Sequence, residues 1–527
     1  MQNLLSWIFL FPLAVAFALL LIPSAKKSLF RVVALITLGA QFILSIVLLI
    51  GFDSSLAPSS WKSAFQYVVK VDWINLSLAS VGNFKIQYYI GVDGISVLLV
   101  ALSSLVLFIG VLSSWNMKEK VKGYFFLYLL LSSSVVGCFI ALDFFLFYLC
   151  FEFMLLPMFF LIGIWGGKRR SYASIKFFLY TLFGSLFILV VMIMLYMGVQ
   201  EEGINTFSLA AMMDGNYLTD AVLNPESDGY FLGVPARSLA FLFLLVGFAI
   251  KLPAVPVHTW LPDAHVEAPT PISVVLAGLL LKVGGYGLFR ILYGIFPDLT
   301  AKYSGLLAFF GVLSIIYGGL NALAQRDLKR MVAYSSVSHM GFVLLGLASI
   351  TSAGIAGSLY HMISHGLISP ALFLVVGVIY DRTHNRTMDC FSGLAGKMPV
   401  YTFLVALFFF AGMGLPTLSG FIGELMVLMG AFTSKVLAKW YGILAILGMI
   451  ISAAYFIWTL QRVFFGKYFV RESAWEPHMK DLSPRELIML IPLAVLVVLF
   501  GIFPTWILDF SNETIEFFMK HLSNSLS

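Results

Sequence analysis

Four ionisable side chains stand inside long apolar runs of the sequence, where burying a charge is costly. Glu152 lies within DFFLFYLCFEFMLLPMFFLIGIWG, and Lys251 closes the run FLFLLVGFAIK just before a proline. Lys282 is near the centre of PISVVLAGLLLKVGGYGLFR, and Glu424 follows a Gly-Leu-Pro sequence in AGMGLPTLSGFIGELMVL. A charge at the centre of a bilayer costs roughly 3 kcal/mol or more unless it is paired or hydrated. Because such residues mark ion pathways and proton relays, these four are the first candidates for chemistry.

A structural ion pair is the alternative for Glu152, Lys251 and Lys282, because a pair would fix the packing of two helices. One pair satisfies two groups and leaves the third unpaired, so proton transfer is the favoured interpretation. Two further cations, Lys176 and Arg290, lie near the ends of apolar runs. We expect both to extend towards the membrane surface, where their charged ends stay in water.

Histidines form a second group of candidates, since imidazole exchanges protons near neutral pH and can bridge lysines and carboxylates. His339 lies in YSSVSHMGF, and His365 follows His361 by four residues in LYHMISHGL, so the latter two share a helical face. A single buried histidine is more often a hydrogen-bonded packing residue. We interpret His339 and His365 as relay candidates and leave both interpretations open for His258. For His265 and His361, packing is the favoured interpretation.

Membrane helices must position these residues. The chain has 527 residues, of which 60% are hydrophobic and 11% are charged, whereas a soluble protein has about a quarter charged residues. A helix needs about 20 apolar residues to cross the hydrocarbon core, and backbone groups in lipid need internal hydrogen bonds. The sequence therefore predicts an all-α integral membrane protein, with loops 52–92 and 199–235 too short for catalytic domains. Its fourteen predicted spans are 3–22, 28–51, 93–114, 123–141, 142–164, 172–198, 236–259, 269–295, 302–323, 329–351, 352–380, 399–432, 438–463 and 484–506.

The distribution of lysine and arginine predicts the orientation of the chain in the membrane. With the N-terminus outside and the loops assigned alternately, twenty cations fall on the inner side and eight on the outer side. Cytoplasmic loops are enriched in cations, so this orientation is favoured, and the basic balance does not imply a nucleic-acid partner. The inner set is Lys26, Lys27, Arg31, Lys118, Lys120, Lys122, Lys168, Arg169, Arg170, Arg326, Lys329, Arg330, Arg382, Arg386, Lys397, Arg462, Lys467, Arg471, Lys480 and Arg485, and the outer set is Lys62, Lys70, Lys85, Arg237, Lys302, Lys435, Lys439 and Lys520.

Two predicted spans, the seventh and the twelfth, carry the interruptions that are typical of transporters. In the seventh, Pro253 and Pro256 follow Lys251, and in the twelfth a Gly-Leu-Pro sequence precedes Glu424. A proline kink would explain either one alone, but the two stand five spans apart, each with a charge nearby. This spacing predicts two inverted repeats of five helices. The predicted units are 1–122 with helices 1–3, 123–295 and 302–463 as the repeats, and 484–527 as helix 14 with an amphipathic tail.

Four stretches of sequence carry a resemblance to a known family: FEFMLLPMFFLIGIWGG, KLPAVPVHTWLPDAHVEAPTPISVVLAGLLLKVGGYGLFR, QRDLKRMVAYSSVSHMGFV and GLPTLSGFIGELMVL. They resemble the antiporter-like subunit family. Its members are the large membrane-arm subunits of complex I (NADH:quinone oxidoreductase), the related photosynthetic complexes and the multi-subunit sodium/proton antiporters. The similarity extends over nearly the whole chain, from about the third span to the fourteenth.

The resemblance implies roles for individual residues. The family's transmembrane glutamate corresponds to Glu152, its partner lysine to Lys251, and its central lysine to Lys282. The terminal relay residue corresponds to Glu424, where most sister subunits carry lysine and one branch of the complex I subunits carries glutamate. The relay histidines correspond to His258, His339 and His365.

The resemblance also implies proton translocation coupled to NADH:quinone electron transfer, in a complex whose other subunits hold NADH, FMN, iron–sulfur clusters and quinone. Its implied partners are the other membrane-arm subunits, including sister antiporter-like subunits, and its implied location is a bacterial inner membrane. The chain itself has no GxGxxG sequence and no P-loop, and Cys138, Cys150 and Cys390 lack metal or redox spacing. We therefore expect it to bind no cofactor and no metal.

Two other classes of function are alternatives. A subunit of a multi-subunit cation/proton antiporter would carry similar motifs without coupled redox chemistry, but Glu424 in place of lysine disfavours it. A membrane scaffold without a transport role is disfavoured by the buried charges. NADH-driven proton pumping, sodium-dependent antiport and the identity of the co-purifying subunits discriminate among these classes.

Overall fold

The computed structural model describes residues 3–78, 82–227, 229–231 and 233–525, and helices dominate these ranges. The helices, in chain order, are α1 Leu4–Leu19, α2 Lys27–Gly51, α3 Ser96–Ser113, α4 Val121–Ile140, α5 Phe144–Phe153, α6 Leu155–Trp165, α7 Arg170–Gly198, α8 Leu209–Met213, α9 Ala236–Lys251, α10 Trp260–Glu267, α11 Thr270–Val275, α12 Leu281–Gly287, α13 Pro297–Leu323, α14 Leu328–Ala348, α15 Ser352–Thr383, α16 Pro399–Gly412, α17 Ser419–Thr433, α18 Trp440–Phe464, α19 Pro484–Ile502 and α20 Thr505–Asn524.

Eleven helices within the described ranges are long and apolar enough to cross a membrane. Two of them are composite: α5 and α6 form one helix, Phe144–Trp165, and α11 and α12 belong to Thr270–Tyr293, which also contains two π-helical segments. The other nine are α2, α3, α4, α7, α13, α14, α15, α18 and α19, while α1, α16 and α17 are apolar but shorter. The prediction of a multi-spanning helical membrane protein is confirmed.

The prediction that the fold is all-α is wrong in loop 52–92. Strand β1 (Gln66–Leu78) pairs with strand β2 (Gly82–Val92) in an antiparallel hairpin with register shifts. The signal was present in QYVVKVDWINL, because β-branched and aromatic residues favour a pleated strand. Shorter strand pairs are β3 Gln200–Glu201 with β4 Ile204–Asn205, β5 Tyr230–Phe231 with β6 Val234–Pro235, and β7 Phe391–Ser392 with β8 Phe469–Val470.

Both predicted interruptions are present in the structure. Helix α9 ends at Lys251, and the chain runs through residues 252–259 without regular helix before α10 begins. Helix α16 ends at Gly412, and α17 begins at Ser419. The first gap contains two prolines and the second contains Pro416, so neither gap can continue the preceding helical hydrogen bonds.

Every second loop along the chain lies at the same end of the helix bundle, where these loops contact one another. The indole nitrogen of Trp165 donates to the carbonyl oxygen of Glu119 at 2.8 Å, and Arg386 forms an ion pair with Asp327 at 3.3 Å. Most of the predicted inner cations lie here, so we call this surface the basic face. It comprises residues 114–120, 166–170, 324–328, 381–398 and 464–483.

The hairpin and helix α20 lie together at the opposite end of the bundle. Lys62 and Lys70 form ion pairs with Glu201 at 2.7 and 3.0 Å, which join the hairpin region to the loop after α7. Trp61 packs edge-on against Phe517 of α20, with ring centroids 4.9 Å apart. One side of α20 is buried against the bundle.

Helix α15 forms the centre of the bundle and is buried along its membrane-spanning length. Small residues allow its neighbours to approach closely, as is usual in membrane helix packing. A Cβ at Gly357 would collide with the backbone of Val427 on α17, and one at Gly377 would collide with Thr270 at the start of α11. Side chains on this helix are therefore surrounded by protein.

Arg290 does not extend to the membrane surface, so that expectation is wrong. Its guanidinium forms a buried ion pair with Asp93, and neither side chain is more than 1% exposed. Asp93 also accepts the backbone N–H of Ser96 at 2.9 Å and so caps the start of α3. Lys176 lies nearer the basic face and is paired with Asp263 at 2.7 Å. The two chain segments that form the Arg290 pair are too distant in sequence for the pairing to be predicted.

Arg290→Met is expected to lower the free energy of unfolding by about 3–5 kcal/mol, because it leaves the Asp93 carboxylate buried without its partner. Thermal unfolding of the purified protein measures the loss. The double variant Arg290→Met with Asp93→Asn should recover part of it. Lys85→Ala, which breaks an exposed pair with Asp72, should cost less than about 1 kcal/mol. Equal losses in the buried and exposed variants would contradict the assignment.

Candidate functional site

Four of the predicted site residues meet in the centre of the protein. Lys282 lies on the Thr270–Tyr293 helix, His339 on α14, His365 on α15 and Glu424 on α17. All four residues are buried. We call these four the central row, in the order Lys282, His365, His339, Glu424.

Lys282 is held between two π-helical segments, Leu276–Leu280 and Leu288–Tyr293. Its Nζ donates a hydrogen bond to the carbonyl oxygen of Ala277 at 2.7 Å and lies 2.7 Å from Nδ1 of His365. A π segment departs from the α-helical hydrogen-bond pattern and is frequent at functional sites. The lysine therefore has an acceptor in its own helix and a partner for proton exchange on α15.

The two histidines continue the row from Lys282 towards Glu424. The ring centroids of His365 and His339 are 5.5 Å apart, so the two imidazoles are neighbours. Nδ1 of His339 lies 3.6 Å from Oε1 of Glu424. An amine, two imidazoles and a carboxyl group therefore follow one another as neighbours.

Glu424 joins the row beside the interruption between α16 and α17. Gly414 lies in that interruption with a φ of 76°, a left-handed conformation that glycine adopts without strain. A Cβ at Gly414 would overlap the Glu424 carboxylate. In the part of the chain that the structure describes, neither carboxylate oxygen has a hydrogen-bond partner. The break between α16 and α17 therefore leaves room for the buried Glu424 carboxyl group, which has no hydrogen-bond partner among the described residues.

Glu152 and Lys251 lie outside the central row, on α5 and at the C-terminal end of α9. Nζ of Lys251 is 4.7 Å from the centre of the Phe151 ring, a cation–π contact. Among the described residues, neither this Nζ nor Oε1 of Glu152 has a hydrogen-bond partner. Within the described ranges, Lys251 therefore donates no hydrogen bond to Glu152, as a structural ion pair would require.

The end of α9 meets the helix of Lys282 at Gly284. A Cβ at Gly284 would lie 2.6 Å from the backbone nitrogen of Leu252, so a larger residue would push the two elements apart. Lys251 precedes this contact by one residue, and Lys282 is two residues from it. A movement at the end of α9 would therefore change the surroundings of Lys282.

The structure places His258 away from the central row. It lies between α9 and α10, and its ring packs against Tyr317 at 5.3 Å and Tyr334 at 6.3 Å between centroids. It is buried and belongs to the interrupted seventh span. The position is compatible with either interpretation that the sequence left open.

Three buried groups were not selected from the sequence. His361 packs against His339, with ring centroids 5.4 Å apart, and His265 stacks on Phe373 at 4.5 Å. Lys329, assigned to the inner loops, is only 3% exposed at the start of α14. No spacing in the sequence singles out Lys329, because its burial depends on the loops that fold over the start of α14.

Proton transfer is the chemistry that this arrangement can perform. Lysine, histidine and glutamate side chains each gain and lose a proton, and the central row places them in sequence inside the protein. Within residues 3–78, 82–227, 229–231 and 233–525, no group of three or more His, Cys, Asp and Glu side chains is placed to hold a metal ion.

Comparison with known proteins identifies the family. A sequence model described as the NADH:quinone oxidoreductase/Mrp antiporter transmembrane family matches residues 141–452. NADH-quinone oxidoreductase subunit M of Rhodobacter capsulatus is 39% identical over 531 residues, covering 99% of this chain and 97% of that protein.

Two solved structures share the fold. A chain of respiratory complex I from Thermus thermophilus, determined with bound NADH, superposes with a TM-score of 0.81 and 30% identity over 98% of this chain and 99% of that chain. A chain of the Mrp complex from Dietzia sp. DQ12-45-1b superposes with a TM-score of 0.80 at 20% identity over the full length of both, which is a likeness of fold alone. The chain therefore belongs to the NADH:quinone oxidoreductase/Mrp antiporter membrane family, and it is similar over nearly its whole length to the members named subunit M.

Proposed function

We propose that this chain is a proton-translocating membrane-arm subunit of an NADH:quinone oxidoreductase of the complex I type. The observation that carries the proposal is the central row, in which Lys282, His365, His339 and Glu424 are successive neighbours in a buried environment. Full-length similarity to proteins named NADH-quinone oxidoreductase subunit M supports the parent complex.

Protons move along the central row by exchange between neighbouring groups. Nζ of Lys282 passes a proton to Nδ1 of His365 over 2.7 Å. Imidazole accepts a proton at one ring nitrogen and releases one from the other, so His365 hands a proton to His339 without leaving its place. His339 then protonates Glu424, whose carboxyl group lies beside the broken backbone and releases the proton towards the outer side.

Glu152 and Lys251 couple this row to the rest of the complex. Glu152 is partly exposed on α5, between Leu149 and Phe153, which are 38% and 37% exposed, so a neighbouring subunit can reach it. Electron transfer from NADH to quinone, through FMN and iron–sulfur clusters in other subunits, changes the charge next to Glu152. The proton affinity of Lys251 then changes, and the contact at Gly284 transmits the change to Lys282.

The topology follows from the same proposal. The eleven long helices, α1 and the two interrupted spans α9–α10 and α16–α17 make fourteen crossings. Units 123–295 and 302–463 form inverted repeats, after helices 1–3 in 1–122 and before helix 14 and the tail in 484–527. The N-terminus is outside, and the basic face is the cytoplasmic side of a bacterial inner membrane.

Lys251→Ala is expected to lower NADH-driven proton uptake and coupled NADH oxidation at least about tenfold, because it removes the charge that couples Glu152 to the row. Inside-out membrane vesicles containing the assembled complex provide the measurement. Lys302→Ala is the matched control, since Lys302 lies on α13 and contacts Ser238 instead of the central row. Wild-type activity in a fully assembled Lys251→Ala complex would contradict the coupling role.

The Mrp likeness of fold makes a cation/proton antiporter subunit the second candidate. Glu424 disfavours an antiporter subunit. The resemblance implies that most sister members of the family, the antiporter subunits among them, carry lysine at this position. Sodium-dependent proton efflux without NADH, in membranes that show no NADH-driven pumping, would support the antiporter and exclude the proposed function.

A further inference from the structure

A cavity of about 650 Å³ opens on the basic face and reaches into the protein. Its wall carries charges of both signs, including Glu267, Asp327, Asp381, Lys329 and Arg386. Carboxylates and cations keep such a cavity hydrated, and carboxylates at its mouth exchange protons with water. The central row, in contrast, is buried, so a proton from water must cross part of the protein to reach it.

Lys329 is the buried cation at the inner wall of this cavity. Its Nζ donates a hydrogen bond to the carbonyl oxygen of Ala268, at the end of α10. Within the described ranges, this is the single hydrogen bond of the Lys329 Nζ, and no carboxylate oxygen lies within ion-pair distance of that atom. A buried ammonium without a carboxylate partner is costly, so Lys329 is placed where a proton is readily given up as well as received.

His265 lies one step further in. It is on α10, three residues before the carbonyl that Lys329 contacts, and it is fully buried. Its ring stacks on Phe373 of α15 at 4.5 Å, and in the described chain neither ring nitrogen has a hydrogen-bond partner. Phe373 is four residues from Gly377 at the cavity wall and eight residues from His365, so His265 stands between the cavity and the central row.

A pair of hydroxyl groups lies between Lys329 and His365, measured along α14 and α15. Oγ of Ser336 on α14 lies 3.2 Å from Oγ of Ser369 on α15. Ser336 is seven residues, or about 10 Å, along α14 from Lys329, and Ser369 is four residues, or about 6 Å, along α15 from His365. Helices α14 and α15 are antiparallel. Lys329 and Ser336 therefore lie on the side of α14 that faces α15, and Ser369 and His365 lie on the side of α15 that faces α14.

We propose that the basic-face cavity is the proton entrance of this subunit and that Lys329, His265 and the Ser336–Ser369 pair carry protons from it to the Lys282–His365 pair, which begins the central row. The proposal rests on the proposed function, since it supplies protons to the central row. Hydroxyl groups both accept and donate hydrogen bonds, so the serine pair passes a proton without a charged residue of its own. His265, with two unpartnered nitrogens, joins Lys329 to this pair.

A structural role for Lys329 makes a different prediction from a role in proton uptake. A cation that only caps the end of α10 through the Ala268 carbonyl can be replaced by arginine, which also donates hydrogen bonds to carbonyl oxygens. Arginine hardly releases its proton, so it cannot replace a lysine that must deprotonate. The pair of variants Lys329→Met and Lys329→Arg therefore separates the two roles.

The test measures NADH-driven proton uptake by inside-out vesicles that contain the assembled complex. Lys329→Met, Lys329→Arg and the double variant Ser336→Ala with Ser369→Ala should each reduce uptake at least about tenfold. Arg330→Met should stay near wild type, because Arg330 is 40% exposed, pairs with Asp263 and does not line the cavity. Normal uptake in Lys329→Arg with loss in Lys329→Met would identify a cap and overturn the proposal.

Lys282→Ala in the same vesicles separates failure of the entrance from failure of the proposed function. Loss of uptake in Lys282→Ala with normal uptake in both Lys329 variants and in the serine variant overturns the entrance alone. Normal uptake in Lys282→Ala overturns the proposed function.

Blocking the cavity tests the entrance without changing a proton-carrying residue. Asn385 lines the cavity, whereas Gly396 is exposed on the same face and has no neighbouring atom within 4 Å. Asn385→Cys labelled with a cationic methanethiosulfonate reagent should lose proton uptake and regain it with reductant. Labelled Gly396→Cys should keep its uptake. Unchanged uptake in fully labelled Asn385→Cys would overturn the proposal, even if the Lys329 variants fail to assemble.

Discussion

Lys282→Arg is expected to abolish proton translocation nearly as completely as Lys282→Ala. Arginine keeps the positive charge but hardly deprotonates, so a relay that requires Lys282 to lose a proton to His365 stops in both variants. We expect a loss of at least about 100-fold, the lower end of what a positioned proton-transfer group contributes. The measurement is the rate of NADH-driven proton uptake in inside-out vesicles, normalised to assembled complex.

The arginine must also fit between the acceptors that surround Lys282. Nζ lies 2.7 Å from both the Ala277 carbonyl oxygen and His365, and a guanidinium is larger than an ammonium. Assembly and the thermal midpoint of the complex therefore accompany the rate measurement, and Lys302→Arg serves as the control. An arginine variant that assembles and pumps normally would leave Lys282 as a fixed structural charge and remove it from the relay.

Glu424→Gln is expected to lower proton output about tenfold or more, because an amide of nearly the same shape cannot exchange a proton. The carboxyl group is the last member of the central row, 3.6 Å from Nδ1 of His339, and lies beside the break at Gly414. Protons translocated per NADH oxidised give the measurement. Glu516→Gln, an exposed change on α20, is the control.

Glu424→Lys should retain part of the activity that Glu424→Gln loses. An amine accepts and releases a proton as a carboxyl group does, and the resemblance indicates that most sister subunits use lysine at this position. A structural role for Glu424 predicts the opposite order, since glutamine preserves its shape and lysine does not. Unchanged rate and stoichiometry in Glu424→Gln would remove Glu424 from the pathway.

The proposed proton entrance and the proposed proton exit lie towards opposite faces of the membrane. Lys329 lies at the basic face, where α14 begins, and Glu424 lies on α17 beyond the Gly-Leu-Pro break. In the proposed pathway, a proton passes from Lys329 to the Lys282–His365 pair and then through His339 to Glu424. A pump requires such a separation, because a continuous water path would let protons return.

The sequence by itself determined the class of protein, most of its long apolar helices and the four candidate residues that form the central row. Hydrophobic runs are local, and a charge inside one is visible without knowing its neighbours. The interruptions at Pro253 and at the Gly-Leu-Pro sequence were equally visible, because proline and glycine act on the backbone where they stand. The family motifs then implied roles for Glu152, Lys251, Lys282 and Glu424.

Only the tertiary structure decided which of these residues meet. Lys282 and His365 are 83 residues apart, and Arg290 and Asp93 are 197 residues apart, so their contacts depend on how distant helices pack. Packing also separated His258 from the central row and buried Lys329, because the position of a side chain at a helix end depends on the loops that fold over it. The local pattern of apolar residues shows which segments can be buried, whereas the packing of the whole helix bundle determines which groups surround a buried charge.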